Sequence, residues 1–372
     1  LDHSLIDLNH IKWRPNSAKE IKSVSESILI DPVTHKAFFA DSKSKSTYQS
    51  IGYPDVEPEL LYSEKTVRER YIEISISEQL AAGARDLIAP YLHTPDTDDT
   101  KFSINLTLLS ETLIFLGKNN IELPVFAKLC VSSQILTRPI VINNIFSRYC
   151  EDYEGRIEGM ILAITDFDGR DANTAHLLGY ANLVHQIQSK MPVIVAAIGG
   201  YGEVLLALGA SGLSSGLHES EAVYTKQLQE GGGGGGKTLS ERIYIPEAMA
   251  YINYEEARKV GYRSVSEGCV IDFTEGEPSE QTKNRHYLNS KLETVRGLRG
   301  LNREQKIEYV QRKVQAAYIH LNGYIRDYQI YQREIHHPRW LEVLRQASLW
   351  SDPETDNAEL EALLNELERE DD

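Results

Sequence analysis

The hydrophobic positions of the chain fall into short apolar runs separated by longer amphipathic stretches. The clearest run covers residues 193–198 (VIVAAI), which is apolar at every position and too short for a free-standing helix. Such a run is typical of a parallel strand that is covered on both faces. Two glycines end it at 199–200, and the pattern then predicts a short helix at 201–208 and a strand at 212–215. Residues 191–221 therefore predict a βαβ unit.

The same alternation extends over most of the chain. Strands are predicted at 27–32, 86–93, 124–131, 160–165, 193–198, 212–215, 242–246 and 269–272, and helices at 67–82, 102–116, 139–153, 173–189, 201–208, 220–229 and 247–260. Eight strands, nearly all separated by helices, predict a (β/α)8 TIM-type barrel. An open doubly wound sheet is the alternative, but the chain lacks the early GxGxxG turn of that fold.

These patterns divide the chain into four segments. We predict an N-terminal arm at 1–26, the (β/α)8 barrel at 27–277, an all-helical extension at 278–350 and an acidic amphipathic tail at 351–372. The six consecutive glycines at 231–236 predict a flexible loop, either native or engineered.

The tail carries a narrow leucine stripe, formed by Leu360, Leu363, Leu364 and Leu367. A single short helix is marginal in water, so the stripe predicts docking on a protein partner, on a second copy or on the chain's own helices near 291–313. A solvated terminus is the alternative.

Charge and composition exclude some classes of function. The net charge of -16 over 372 residues disfavours sequence-blind binding to nucleic acid, although the basic stretch 283–313 leaves a local patch for it. No apolar run approaches the roughly 18 residues of a membrane span, and no signal-peptide pattern opens the chain. Cys130, Cys150 and Cys269 lie far apart, which fits a reducing environment. We therefore expect a cytoplasmic protein without membrane contact.

The candidate site residues lie at the predicted carboxyl ends of the strands, because barrel enzymes place their chemistry there. The candidate catalytic residues are Asp31, Lys128, Asp166 and Asp272, and the candidate ligand-binding residues are His93, Asp168, Gly199, Gly200, Ser215, Gly216, Glu219 and Glu247. Carboxylates around one opening can act as a general acid and base. Each is also an ordinary loop or helix-capping residue, which is the structural alternative.

Lys128 is the sharpest of these candidates, because it lies inside the apolar strand 124–131 on the same face as Phe126 and Cys130. Burial lowers the pKa of a lysine and makes it a better nucleophile or base. A buried ion pair with Asp31 or Asp166 is the alternative.

The two small-residue pairs at 199–200 and 215–216 predict an anion site. Glycines there let backbone N–H groups approach a phosphate closely near helix N-termini, although tight turns explain them equally well. The run 166–171 (DFDGRD) lacks the full spacing of a calcium loop, so no metal is assigned, and no cofactor follows from the sequence.

Two family resemblances accompany these motifs. The segments PVIVAAIGG and ALGASGLSSG resemble the phosphate-binding end of many (β/α)8 enzymes, although they lie on the fifth and sixth predicted strands. Residues 209–273, with GASGLSSGLHESE, ERIYIPEAMAYINYEEARKVG and EGCVIDF, resemble the end of a tRNA-guanine transglycosylase barrel. The second resemblance implies that Glu219 helps to recognise a base and that residues 267–272 hold the nucleophile. Glu267 stands where that family has an aspartate, and no cysteine-rich zinc motif follows.

These observations predict a barrel that binds a phosphate-bearing or nucleobase-like ligand, with the base exchange or glycosidic-bond chemistry that the resemblance implies. The alternative is a catalytically silent barrel that acts as a scaffold in a larger assembly, including one that handles nucleic acid. The C-terminal helices predict a protein partner or a homo-oligomer in either case.

Overall fold

The computed structural model describes residues 3–13, 27–214, 225, 242–266, 269–273, 276–330, 335–350 and 362–363. The chain divides into two compact units, and each is described by itself. The first unit comprises residues 1–167, 186–196 and 223–234, and the second comprises residues 168–185, 197–222 and 235–372.

The first unit contains a series of parallel strands that neighbour one another in chain order. They are β1 (His3–Asp7), β2 (Ser27–Asp31), β3 (Leu87–Ile88), β4 (His93–Thr94), β5 (Val125–Ser132), β6 (Gly159–Thr165) and β7 (Val193–Ala196). β1 pairs with β2, both β3 and β4 pair with β5, and β5, β6 and β7 pair in sequence, all in parallel. A single parallel bridge from Leu29 to Asp86 links β2 to the start of β3. A doubly wound sheet reverses its strand order at one point, and these strands do not.

Helices separate most of these strands. They are α1 (Leu8–Trp13), α2 (Ala40–Lys43), α3 (Ser46–Gln49), α4 (Pro58–Ser63), α5 (Lys65–Ala81), α6 (Thr100–Lys118) and α7 (Pro139–Ile145), which continues as a π-helical turn (Phe146–Glu151). Local chemistry sets their starts. The carboxylate of Asp99 accepts the backbone N–H of Lys101 at 2.8 Å and so caps α6. Pro58 and Pro139 occupy first-turn positions, where a helix needs no N–H donor.

The side chains on one face of the parallel strands form the apolar interior of the first unit. Every residue of β5 and β6 is buried. Alternate residues of the strands and the segment after β3 form one apolar cluster, made of Leu29, Ile88, Tyr91, Phe126, Cys130, Ile161, Ala163 and Ala196. Because side chains alternate along a strand, this cluster places Lys128 on the same inner face as Phe126 and Cys130.

The second unit has antiparallel hairpins and C-terminal helices. It contains most of α8 (Thr174–Gln188), and then α9 (Tyr201–Ala207), β8 (Gly212–Ser214), β9 (Arg242–Ile245), β10 (Ala250–Asn253), α10 (Tyr254–Val260), β11 (Arg263–Ser266), β12 (Cys269–Asp272), α11 (Glu280–Leu298), α12 (Arg303–Tyr328) and α13 (His337–Ala347). β9 pairs with β10 and β11 pairs with β12, both in antiparallel register.

The C-terminal helices predicted from the sequence are confirmed. Asn302 and Gln305 form a capping box that starts α12, and one face of this helix is buried at Ile307, Val310, Val314 and Ala317. In α11, Leu288 is 43% exposed. No helix within the described ranges has both the length and the apolar character that a bilayer crossing requires.

Most predicted elements of the α/β pattern are confirmed, but two are wrong. The single strand predicted at 86–93 is two short strands, because Pro90 cannot donate a ladder hydrogen bond. The helix predicted at 247–260 begins only at Tyr254. Residues 246–248 form a 3-10 turn, Met249 takes φ +46° and 250–253 return as β10.

The described residues therefore show a parallel half-barrel sheet and C-terminal helices, and they do not show a closed eight-stranded barrel. The strands predicted at 242–246 and 269–272, which were expected to complete the barrel, pair in hairpins instead. The hexaglycine, most of the helix predicted at 220–229, nearly all of the tail and residues 14–26 of the predicted arm lie outside the described residues.

Candidate functional site

Asp31 and Lys128 form a buried ion pair in the first unit. Asp31 ends β2 and is 2% exposed, and Lys128 lies in the middle of β5 and is 9% exposed. The ammonium of Lys128 donates to Asp31 Oδ2. Tyr91 OH donates to both carboxylate oxygens, at 2.9 and 3.1 Å, and the backbone N–H of Val33 donates to Oδ1 at 2.9 Å. The ion pair predicted as an alternative for Lys128 is therefore confirmed, with Asp31 as its partner.

This pairing keeps both groups charged. Burial alone would raise the pKa of Asp31, but attraction to Lys128 and the hydrogen bonds outweigh burial and lower it. Burial alone would lower the pKa of Lys128, but attraction to Asp31 raises it above its ordinary value. A lysine nucleophile or base needs a depressed pKa, and Lys128 has the opposite. Its geometry suits a fixed positive charge and a hydrogen-bond donor.

His35 adjoins this pair and is not among the site residues predicted from the sequence. Its imidazole stacks on the Tyr91 ring at a centroid distance of 5.2 Å and an angle of 30°. The residue is 6% exposed, and neither ring nitrogen has a hydrogen-bond partner among the described residues. Burial, with repulsion from Lys36, Lys128 and His93, holds the pKa of His35 well below its usual value, so the ring is neutral. Its position in the exit loop of β2 was the available signal.

The backbone that carries His35 is strained and firmly anchored. Val33 adopts φ +48°, a conformation that is costly for a β-branched residue. Thr34 Oγ1 donates to Tyr91 O at 2.6 Å and accepts from Tyr91 N at 2.8 Å. Tyr71 OH donates to Thr34 O at 2.8 Å. The 3-10 turn Thr34–Phe38 is thus tied to Tyr91 at its first residue.

A second polar group lies at the ends of β4 and β6 in the same unit. His93 Nε2 lies 3.1 Å from Thr165 Oγ1, and burial lowers the pKa of His93. Asp166 is exposed at φ +56°, and its carboxylate accepts the backbone N–H of Thr225 at 2.9 Å and the Thr225 hydroxyl. Because His93 also contributes to the shift at His35, the electrostatics of the two groups are connected.

The remaining candidates belong to the second unit or lie outside the described residues. Arg170 forms a bidentate ion pair with Asp168. Its Nε lies 2.8 Å from Oδ1 and 3.1 Å from Oδ2, and its Nη2 lies 2.5 Å from Oδ2. Glu247 is exposed and accepts from Tyr262 OH at 3.3 Å, and Asp272 pairs with Arg263 Nε at 3.2 Å. Ser215, Gly216, Glu219 and Glu267 lie outside the described residues.

Gly199 and Gly200 end the apolar run before α9 in the second unit. Gly199 takes φ +59°, a conformation that favours glycine. A Cβ built at Gly200 would lie 2.9 Å from Cη2 of Trp340. The buried indole of Trp340 donates from Nε1 to Gly169 O at 2.7 Å and so holds its position. In this structure the close approach at Gly200 is therefore to a tryptophan of α13.

The alanine variant of Gly200 measures this contact. We expect Gly200→Ala to destabilise the protein by about 1–3 kcal/mol, because the added methyl overpacks against Trp340. Urea unfolding gives the free energy of unfolding. Gly117→Ala is the matched control, since a Cβ there meets no atom of the described residues within 4 Å and alanine favours the helix. Equal stability of the Gly200 variant and the wild type would contradict the packing role.

The second unit contains a buried charge cluster whose residues are not among the site residues predicted from the sequence. Glu203 of α9 is 1% exposed and accepts from Lys291 Nζ at 2.9 Å and from Lys313 Nζ at 2.6 Å. Lys291 also donates to Tyr244 OH at 3.2 Å, and Lys313 donates to Thr294 Oγ1. Burial alone would raise the pKa of Glu203, but the two lysines lower it to about 2. The cluster links α9, α11 and α12.

This cluster changes the interpretation of the basic stretch 283–313. Lys283 and Lys291 are buried, and Lys313 is half-buried. Lys283 contacts the hydroxyl and the ring face of Tyr254. These three lysines serve internal contacts, so the predicted nucleic-acid patch would depend on the exposed arginines of α11 and α12.

Neither a group of metal ligands nor a similarity to known proteins assigns a function to these residues. In the described part of the chain, no three His, Cys, Asp or Glu side chains are grouped closely enough to hold a metal ion. No protein-family model matches the chain, and no curated protein matches its sequence.

Proposed function

We propose that the first unit binds a small polar ligand at the carboxyl ends of its parallel strands, as the mouth of a (β/α)8-type barrel does. The observation that carries the proposal is the polar group inside an apolar sheet. Among the described residues, Lys128 Nζ donates to Asp31 alone, although an ammonium has three donors. Beside it lies the neutral His35, whose two ring nitrogens have no hydrogen-bond partner in the part of the chain that the structure describes. Buried polar groups normally have hydrogen-bond partners, so these unused groups favour a bound ligand.

The charge of this group favours a nucleobase-like ligand over a phosphate. Asp31 and Lys128 neutralise each other, and the lowered pKa keeps His35 uncharged. A phosphate needs surplus positive charge, whereas a neutral heterocycle needs donors and acceptors side by side. The Lys128 ammonium and the Asp31 carboxylate offer both. The resemblance to tRNA-guanine transglycosylases extends the proposal to base exchange.

A ligand screen read by thermal shift tests the binding proposal. We expect a purine base such as guanine to raise the melting temperature and inorganic phosphate to leave it unchanged. Ligand at a hundredfold excess over Kd stabilises by about 2.7 kcal/mol. The double variant Asp31→Asn, Lys128→Met should lose the shift.

Lys12→Met is the matched control for this screen, because Lys12 pairs with Glu78 at 2.6 Å in a half-buried surface position. It should keep the guanine shift. Absence of any shift in the wild type with bases and nucleosides would refute the binding proposal.

A catalytically silent scaffold is the second candidate function. The raised pKa of Lys128 supports it, because a permanently paired ammonium suits a structural role. Incorporation of radiolabelled guanine into tRNA separates the two candidates. Incorporation that depends on Asp31 supports base exchange, and guanine binding without incorporation supports a binding protein that lacks the chemistry.

A further inference from the structure

The His35 imidazole occupies a position that is unfavourable for histidine. It is buried and stacked on Tyr91, and neither nitrogen has a partner among the described residues. Leaving a buried donor and acceptor unpaired costs free energy that an apolar side chain would not lose. Val33, two residues earlier, adds backbone strain. We call the space that this imidazole fills, beside Tyr91, Asp31 and Lys128, the ring site.

The ring site has the shape and the neighbours that a planar heteroaromatic ring requires. A ring in place of the imidazole would keep the stacking contact with Tyr91. Lys128 and Asp31, whose charges act on His35, would then supply a donor and an acceptor to the edge of the ligand. The native imidazole uses neither group for hydrogen bonding.

The turn that carries the imidazole is held in place by other side chains. Thr34 stays tied to Tyr91 by its two hydrogen bonds, so the backbone before His35 is fixed. Tyr71 OH also donates to Thr34 O at 2.8 Å. We therefore expect a displacement to involve the His35 side chain and not the backbone of the turn.

We propose that the ring site binds the heteroaromatic ring of a ligand, and that His35 fills this site in the free protein as a displaceable gate. The inference rests on the proposed function, in which the first unit binds such a ligand. Displacement lowers the apparent affinity, because only the fraction of molecules with an open site can bind. His35 then sets both affinity and access.

The gate also makes ligand binding depend on pH. Burial disfavours a protonated imidazole, Lys36, Lys128 and His93 repel it, and Asp31 attracts it. Protonation should therefore favour the displaced side chain. Wild-type affinity for a neutral ring should rise severalfold from pH 7.5 to pH 5, and removal of His35 should abolish most of that change.

Three variants test the gate. His35→Ala empties the ring site, His35→Phe fills it with a ring that has no polar atoms, and His337→Phe is the control. His337 is a buried histidine of the second unit whose two nitrogens likewise have no partner among the described residues. We expect free imidazole to stabilise His35→Ala and not the wild type. Guanine should bind His35→Ala about tenfold more tightly than wild type and His35→Phe about tenfold more weakly.

The outcomes separate the gate from the proposed function. Imidazole binding to His35→Ala without guanine binding to any variant would support the ring site and refute the nucleobase ligand. Equal guanine affinity in wild type, His35→Ala and His35→Phe would refute the gate while the binding site stands. If His35→Ala does not fold, as judged by circular dichroism, the affinity of His35→Phe still decides, because an unchanged value overturns the gate.

Discussion

Replacing Lys128 by methionine is expected to destabilise the protein by about 3–5 kcal/mol, because the change leaves the Asp31 carboxylate buried without its counter-charge. Methionine keeps most of the side-chain volume, so packing changes little. Tyr91 OH and Val33 N–H still donate to Asp31, but neither carries a charge. Chemical unfolding monitored by circular dichroism measures the loss.

Two further variants show that the loss comes from the unpaired charge. Asp31→Asn combined with Lys128→Met should recover a large part of the stability, since a neutral amide can be buried at lower cost. Lys12→Met, which breaks a half-buried surface pair with Glu78, should cost less than about 1 kcal/mol. A single Lys128→Met variant within about 1 kcal/mol of wild type would show that the ion pair contributes nothing net.

Glu203→Gln should give an effect of similar size in the second unit. It leaves Lys291 and Lys313 buried or half-buried without the carboxylate that they share, and we expect a loss of about 3–5 kcal/mol. Glu342→Gln is the matched control, because its ion pair with Arg345 lies on the surface of α13 and should contribute less than about 1 kcal/mol. Similar losses in both variants would contradict a special role for the cluster.

The same cluster should make stability depend on acid. The pKa of Glu203 is about 2 in the folded protein and near 4.5 ordinarily, so folding favours the ionised form. This contribution, about 3 kcal/mol, is fully present above pH 4.5 and is lost as the pH falls toward 2. Unfolding curves between pH 6 and pH 3 measure the slope. Glu203→Gln should flatten it, and an unchanged slope would assign acid sensitivity to other groups.

Local sequence determined the elements whose pattern has a single interpretation. Residues close together in the chain define the apolar runs at 124–131 and 160–165 and the caps of α6 and α12. Their hydrophobic period and their capping residues can therefore be recognised in the sequence. The position of Lys128 on the inner face follows from the same alternation. The helix predicted at 247–260 was wrong at its start, because Met249 turns the chain at positive φ and no local pattern indicates that turn.

The sequence by itself determined a parallel α/β sheet, a helical C-terminal region and a lysine facing an apolar interior. Only the tertiary structure decided that Lys128 pairs with Asp31, that His35 lies stacked beside them, and that Glu203 holds two lysines of distant helices. The partners in each ion pair are separated by 88 residues or more. Periodicity fixes which face a side chain takes, whereas its partner depends on which strands and helices become neighbours. That choice is made by the packing of the whole unit.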